Sequence, residues 1–153
     1  MKPVFQQVVD SQKGDCMKAV IASLLEKSME EVPNFIEFEN WWAKKQEYLE
    51  ENGYKEVCTL WNPNPPNGGK VLEKYSLDSI KNYEGIGGYF YASVNSPKFH
   101  ETGGTHAVVI DKDFNIVHDP NPNYKGLKIY PKSDVIQYNG ILYVTIIEKI
   151  KEQ

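Results

Sequence analysis

Gly14-Asp15-Cys16-Met17-Lys18-Ala19-Val20-Ile21-Ala22-Ser23-Leu24-Leu25 is the stretch on which the fold turns. Asp15 is a good N-cap residue and Gly14 before it permits a tight approach, so a helix is predicted to begin at Asp15 or Cys16. Ala19, Val20 and Leu24, and beside them Met17, Ile21 and Leu25, recur at helical spacing. That density of apolar residues is too high for a surface helix. The helix is expected to be central and buried, with Cys16 at its N-terminus.

Outward from it, Ser28-Met29-Glu30-Glu31 has the form of a capping box, and Pro33 stops that second start after one turn. A third helix is predicted over Asn40–Glu51, with Trp41, Trp42 and Tyr48 as its apolar side and Gly53 closing it. A short helix is placed near Leu77–Tyr83. The breaker segment Asn62-Pro63-Asn64-Pro65-Pro66-Asn67-Gly68-Gly69 reads as a surface loop dividing a helical first half from a strand-rich second half. Strands are predicted at Tyr89–Val94, His106–Ile110, Asn115–Asp119, Gly126–Tyr130 and Ile141–Ile147. Strands joined by short links favour an antiparallel sheet. The expected class is α+β.

The 153 residues fit one domain spanning 1–153, and 41% hydrophobic with 25% charged residues is ordinary for a soluble globular protein. A net charge of −4 argues against a nucleic-acid partner, which selects a basic stripe. Met1-Lys2-Pro3-Val4-Phe5-Gln6 lacks the apolar run of a signal peptide, and no stretch approaches the ~20 apolar residues of a membrane span. With only two cysteines, reduced thiols and a cytoplasmic location are expected. No membrane partner is expected, and nothing in the sequence fixes an oligomeric state.

Cys16 stands where a reactive thiol belongs. At a helix N-terminus it faces unpaired backbone N–H groups and the positive end of the helix dipole, and both favour the thiolate, the nucleophilic form. A free cysteine is also commonly a small buried hydrophobe, so partners must decide. His106 opens the apolar strand His106-Ala107-Val108-Val109-Ile110. A two-residue hairpin loop at Lys112-Asp113 would set His106 directly opposite Asp119, where a carboxylate can hold an imidazole in its working tautomer. A slip of one residue would bring His118 or Pro120 there instead. Otherwise His118 is expected to face away, and His100 to be exposed in its loop. Cys16, Cys58 and three histidines lack the spacing of a metal site, and Gly85-Ile86-Gly87-Gly88 lacks the lysine of a phosphate loop. Cys58 reads as core, and no cofactor is expected.

Gln6, the Gly14–Leu25 run, Glu31-Val32-Pro33-Asn34-Phe35, Thr105-His106-Ala107-Val108-Val109 and His118-Asp119-Pro120-Asn121-Pro122 together resemble a family of short bacterial and phage proteins. That family looks papain-like and is similar to the cysteine peptidases that trim bacteriocin leader peptides. The resemblance implies a papain-like fold and a cysteine peptidase or amidase acting on a peptide or small amide through Cys16, His106 and Asp119. It also implies Gln6 as the side-chain donor of an oxyanion hole, beside the backbone N–H of Cys16. In papain-like peptidases that glutamine usually lies closer to the cysteine, so Gln7 and Gln12 stand as substitutes. Acyl transfer to an amine would use the same residues, and a papain-like module that sequesters a peptide or small signal molecule is the alternative from another class.

Overall fold

The computed structural model describes residues 1–9, 15–63, 71–124, 126–127, 130–131 and 138–151. Two α-helices, α1 (Cys16–Leu25) and α2 (Trp41–Glu51), precede and flank a five-stranded sheet. Its strands are β1 (Tyr54–Trp61), β2 (Phe90–Asn95), β3 (Thr105–Ile110), β4 (Ile116–His118) and β5 (Ile141–Lys149). They lie in the order β1-β5-β2-β3-β4, and every neighbouring pair is antiparallel. The α+β class and the antiparallel sheet agree with the sequence reading. No helix among the described residues is long and apolar enough to cross a membrane.

Both faces of the sheet are covered, which is why β2 and β3 read as nearly continuous apolar runs. Alternate residues point to opposite faces. Tyr91, Ala107, Val109 and Ile147 meet α1 through Ala19, Val20, Ile21, Leu24 and Leu25. Phe90, Ala92, Val94, Val108 and Ile110 pack on the other side with Leu77, Ile80, Tyr130 and Tyr138. Val20 and Ile21 are fully buried, each worth about 1.5–3 kcal/mol against exposure. The packing force on α1 is therefore large, and it fixes where the helix N-terminus ends up.

Four elements depart from the sequence expectations. The first half is not purely helical, because β1 falls before the breaker loop; Glu56-Val57-Cys58-Thr59-Leu60 belongs to a strand, and residues 64–69 of that loop lie outside the described residues. On α2, Trp41 and Trp42 are exposed and the buried positions are Lys45 and Leu49. Lys45 is turned inward by Glu56 of β1, with Nζ 2.5 Å from its carboxylate, so an ion pair overrides the aromatic pattern. No strand forms at Gly126, Leu127 or Tyr130, and residues 128 and 129 lie outside the described residues.

The fourth departure is the β3–β4 register. The turn is not a two-residue loop at Lys112-Asp113. The Asp111 carboxylate takes the backbone N–H groups of Asp113 and Asn115, and Phe114 sits at φ 63°, which opens the turn to residues 111–115. Val109 consequently pairs with His118 and Ile110 with Ile116, across a bulge. Asp119 lies just beyond β4 rather than opposite His106.

Candidate active site

Cys16 is the first residue of α1, half-buried, and its backbone lies among the helix N–H groups that have no intrahelical acceptor. Asp15 occupies the N-cap position, but its side chain does not cap the helix. The carboxylate instead receives the backbone N–H groups of Gln7 and Val8, at 3.1 Å each. Asp15 is 4% exposed, so this is a buried anchor that ties the N-terminal segment to the start of α1. Further bonds pin the same segment. Val4 N donates to the buried Ser23 Oγ, Gln6 N to Pro120 O, and His118 Nε2 lies 2.7 Å from Val4 O. Packing of Phe5 edge-on against the His118 ring completes the clamp.

His106 and Asp119 are in contact despite the register correction. The bulge and the turn of chain after His118 swing the Asp119 carboxylate back, and His106 Nε2 lies 2.6 Å from Asp119 Oδ1. Because Nε2 is occupied by Asp119, Nδ1 is the ring nitrogen left to face Cys16, which lines the same cleft. His106 and Asp119 are 6% and 9% exposed, which makes this a desolvated pair. Burial pushes the imidazole toward the neutral form. The hydrogen bond to Asp119, then that to Cys16, and the charges of both outweigh it and raise the His106 pKa to about 9.

Three further residues hold the assembly, and local sequence reading missed all of them. Tyr130 Oη donates to Asp119 Oδ2 at 2.5 Å, and Asn121 N donates to Oδ1 at 2.9 Å, so the carboxylate is satisfied on both oxygens. Burial and the neighbouring Asp119 raise the Tyr130 pKa, which keeps the phenol protonated as a donor. Tyr124 covers the His106 ring edge-on, with centroids 5.6 Å apart. The Asp119-Pro120-Asn121 run carries a signal that went unread, since an aspartate accepting its i+2 N–H is a standard Asx turn. Tyr130 lies eleven positions from Asp119 and has no such local signal.

Gln6 also lines this cleft, together with Ser96, Phe99, Gly104 and Thr105. Gly104 is required there, because a Cβ would stand 2.8 Å from Phe99 O. The Gln6 amide is not presented as the oxyanion role requires. Its Nε2 donates back to Val8 O at 2.8 Å, a consequence of the tight bend that Asp15 imposes on Gln7 and Val8. Of the two substitutes, Gln7 is exposed and Gln12 lies outside the described residues. His118 serves the N-terminal segment and not Cys16. His100 is not freely exposed; its Nδ1 lies 3.0 Å from Ser96 O. Among the described residues no group of three His, Cys, Asp or Glu is placed to hold a metal ion.

No family model, curated protein or solved structure matches the chain. Its chemistry therefore has to be read from its own geometry.

The anchoring role of Asp15 is testable by itself. Asp15→Ala leaves the Gln7 and Val8 N–H groups without an acceptor, and the expected loss is about 2 kcal/mol of unfolding free energy in urea. Asp15→Asn, which keeps one acceptor oxygen, should recover part of it. An unchanged midpoint for the alanine variant would remove Asp15 from this role.

Proposed function

We propose that the protein is a cysteine hydrolase of papain-like architecture that cleaves an amide or isopeptide bond. The observation that carries this reading is the buried His106 imidazole, bound at Nε2 by Asp119 at 2.6 Å and lining one cleft with the Cys16 thiol at a helix N-terminus. Each part has a chemical consequence. Asp119 fixes the ring and favours the imidazolium. In this reading His106 takes the Cys16 proton and leaves the nucleophilic sulfur at the N-terminus of α1. The thiolate attacks the substrate carbonyl carbon, and the backbone N–H of Cys16 faces the charge that develops on its oxygen. His106 then passes its proton to the leaving nitrogen, and water resolves the thioester with His106 acting as base. In this scheme the oxyanion falls to backbone donors, since Gln6 reaches it only by giving up Val8 O.

Thiol alkylation is the direct test. Cys58, the comparison thiol, is half-buried on β1 and donates to Tyr83 Oη at 3.4 Å, with no imidazole beside it. In the folded protein at neutral pH, iodoacetamide should modify Cys16 about tenfold faster than Cys58 or more, read by peptide mass spectrometry. Equal rates would reject the thiolate reading. Under denaturing conditions the difference should vanish.

A further inference from the structure

Gln6 carries one buried polar atom that no group among the described residues satisfies. The residue is 8% exposed, lines the cleft with Cys16 and His106, and has its Nε2 committed to Val8 O. Its Oε1 has no hydrogen-bond partner among the described residues. An unpaired carbonyl oxygen away from water costs free energy until a donor reaches it. Exchanging the two amide atoms offers no relief, because it would set an oxygen 2.8 Å from the carbonyl oxygen of Val8, two acceptors face to face. The atom Gln6 has left for a ligand is therefore an acceptor. Apart from the Cys16–His106 pair, the cleft lining among the described residues is uncharged, with Ser96, Thr105, Asn121 and Tyr124 as its polar members beside Gln6. A carboxylate or ammonium on the reacting group would find no counter-charge there.

We propose that Gln6 Oε1 accepts a hydrogen bond from the N–H of the scissile amide. The cleft then selects primary and secondary amides over esters, thioesters and tertiary amides such as the bond preceding proline, none of which has that N–H. The inference rests on the hydrolase reading above and narrows its substrate. In the reaction the Sγ–C bond forms and the C–N bond breaks. The nitrogen keeps its own hydrogen, bound to Gln6 throughout, and leaves with the proton of His106 as ammonia or an amine. Water then cleaves the thioester to a carboxylic acid and restores the thiol. Gln6 acts here as a specificity-determining acceptor, a role opposite in polarity to an oxyanion donor.

A matched pair of alkylating agents separates these roles. Iodoacetamide has amide N–H groups, and N,N-dimethyl-2-iodoacetamide delivers the same electrophilic carbon without them. Cys16 in the full chain, each rate divided by that of free cysteine, should prefer iodoacetamide by about tenfold, the worth of one hydrogen bond to an otherwise unsatisfied acceptor. Gln6→Leu should bring the ratio close to one. A ratio near one in the unsubstituted protein overturns the proposal without recourse to a variant. A preference that survives Gln6→Leu would be steric and overturns it as well. Equal slowing of both reagents by Gln6→Leu would restore the donor role. The hydrolase reading fails separately. Cys16 no faster than Cys58, yet still favouring iodoacetamide, would leave a carboxamide-binding cleft without the enzyme.

Discussion

Cys16→Ala is expected to abolish hydrolysis across a library of fluorogenic peptide amides, by about 10⁴-fold or more, the scale on which enzymes lose rate when their nucleophile is removed. The substitution is mild for the fold. Position 16 is the first residue of α1, alanine is the best helix former, and the thiol is only half-buried. Far-UV circular dichroism and the unfolding midpoint should hardly move, so a loss of rate reports chemistry and not unfolding. The same variant should lose the fast-alkylating thiol and keep the slow one at Cys58. Retention of amide hydrolysis by Cys16→Ala would end the cysteine-hydrolase reading. A protein that turns over no member of the library, yet shows the fast thiol, would still hold the paired thiolate.

The second large effect is expected at Asp119. Its carboxylate accepts from His106 Nε2, Tyr130 Oη and Asn121 N inside the protein. Asp119→Ala strands three donors at once and removes the partner of a buried imidazolium, a change that costs about 3–5 kcal/mol. Asp119→Asn is the informative variant. Its oxygen can still receive His106 Nε2 while its amide group faces the Tyr130 hydroxyl, so the packing survives and the charge does not. Without that charge, burial acts on His106 with less opposition, and its pKa should fall from about 9 toward or below the ordinary value of 6.5. Turnover in the wild type, which needs the imidazolium–thiolate pair, should hold to about pH 9 and decline above it as His106 loses its proton. In Asp119→Asn that alkaline limb should move to lower pH, with a rate loss of about 10²–10⁴-fold. Ring-proton NMR of His106 follows the same titration without a substrate. An unmoved titration would mean that Asp119 does not set the charge of His106.

The raised pKa also makes stability depend on pH, in a definite direction. His106 binds its proton more tightly folded than unfolded, so its contribution is complete below about 6.5 and is lost as pH rises through about 9. A shift of this size corresponds to roughly 3 kcal/mol between those limits. Urea unfolding across that window should show the decline in the wild type and a much flatter profile in Asp119→Asn.

The sequence by itself determined the parts of this protein that rest on local periodicity and local chemistry. The apolar stripes of residues 17–25 specify a buried helix whatever surrounds it, and the helix begins at Cys16, one of the two starts expected. The apolar runs read at 89–94, 106–110 and 141–147 specify covered strands for the same reason, and the strands form at Phe90–Asn95, Thr105–Ile110 and Ile141–Lys149. Only tertiary structure decided what those elements do for the site. The alternation of His106 and Asp119 about a turn suggested that they meet, but the register assumed was wrong, because side-chain bonds from Asp111 set the turn length and hairpin periodicity does not encode them. They meet through the bulge and the chain reversal beyond His118. Asp15 looked like a helix cap, since an N-cap and an anchor for a distant segment are the same residue until that segment is in place. Trp41 and Trp42 looked like core, since periodicity cannot foresee that Glu56 of another element pairs with Lys45. Tyr130 left no trace in sequence because its partnership with Asp119 exists only once the loop carrying it folds onto the sheet. The orientation of the Gln6 amide belongs to the same class. Residue type supplies both a donor and an acceptor, and only the neighbouring Val8 carbonyl decides which of the two remains for a ligand.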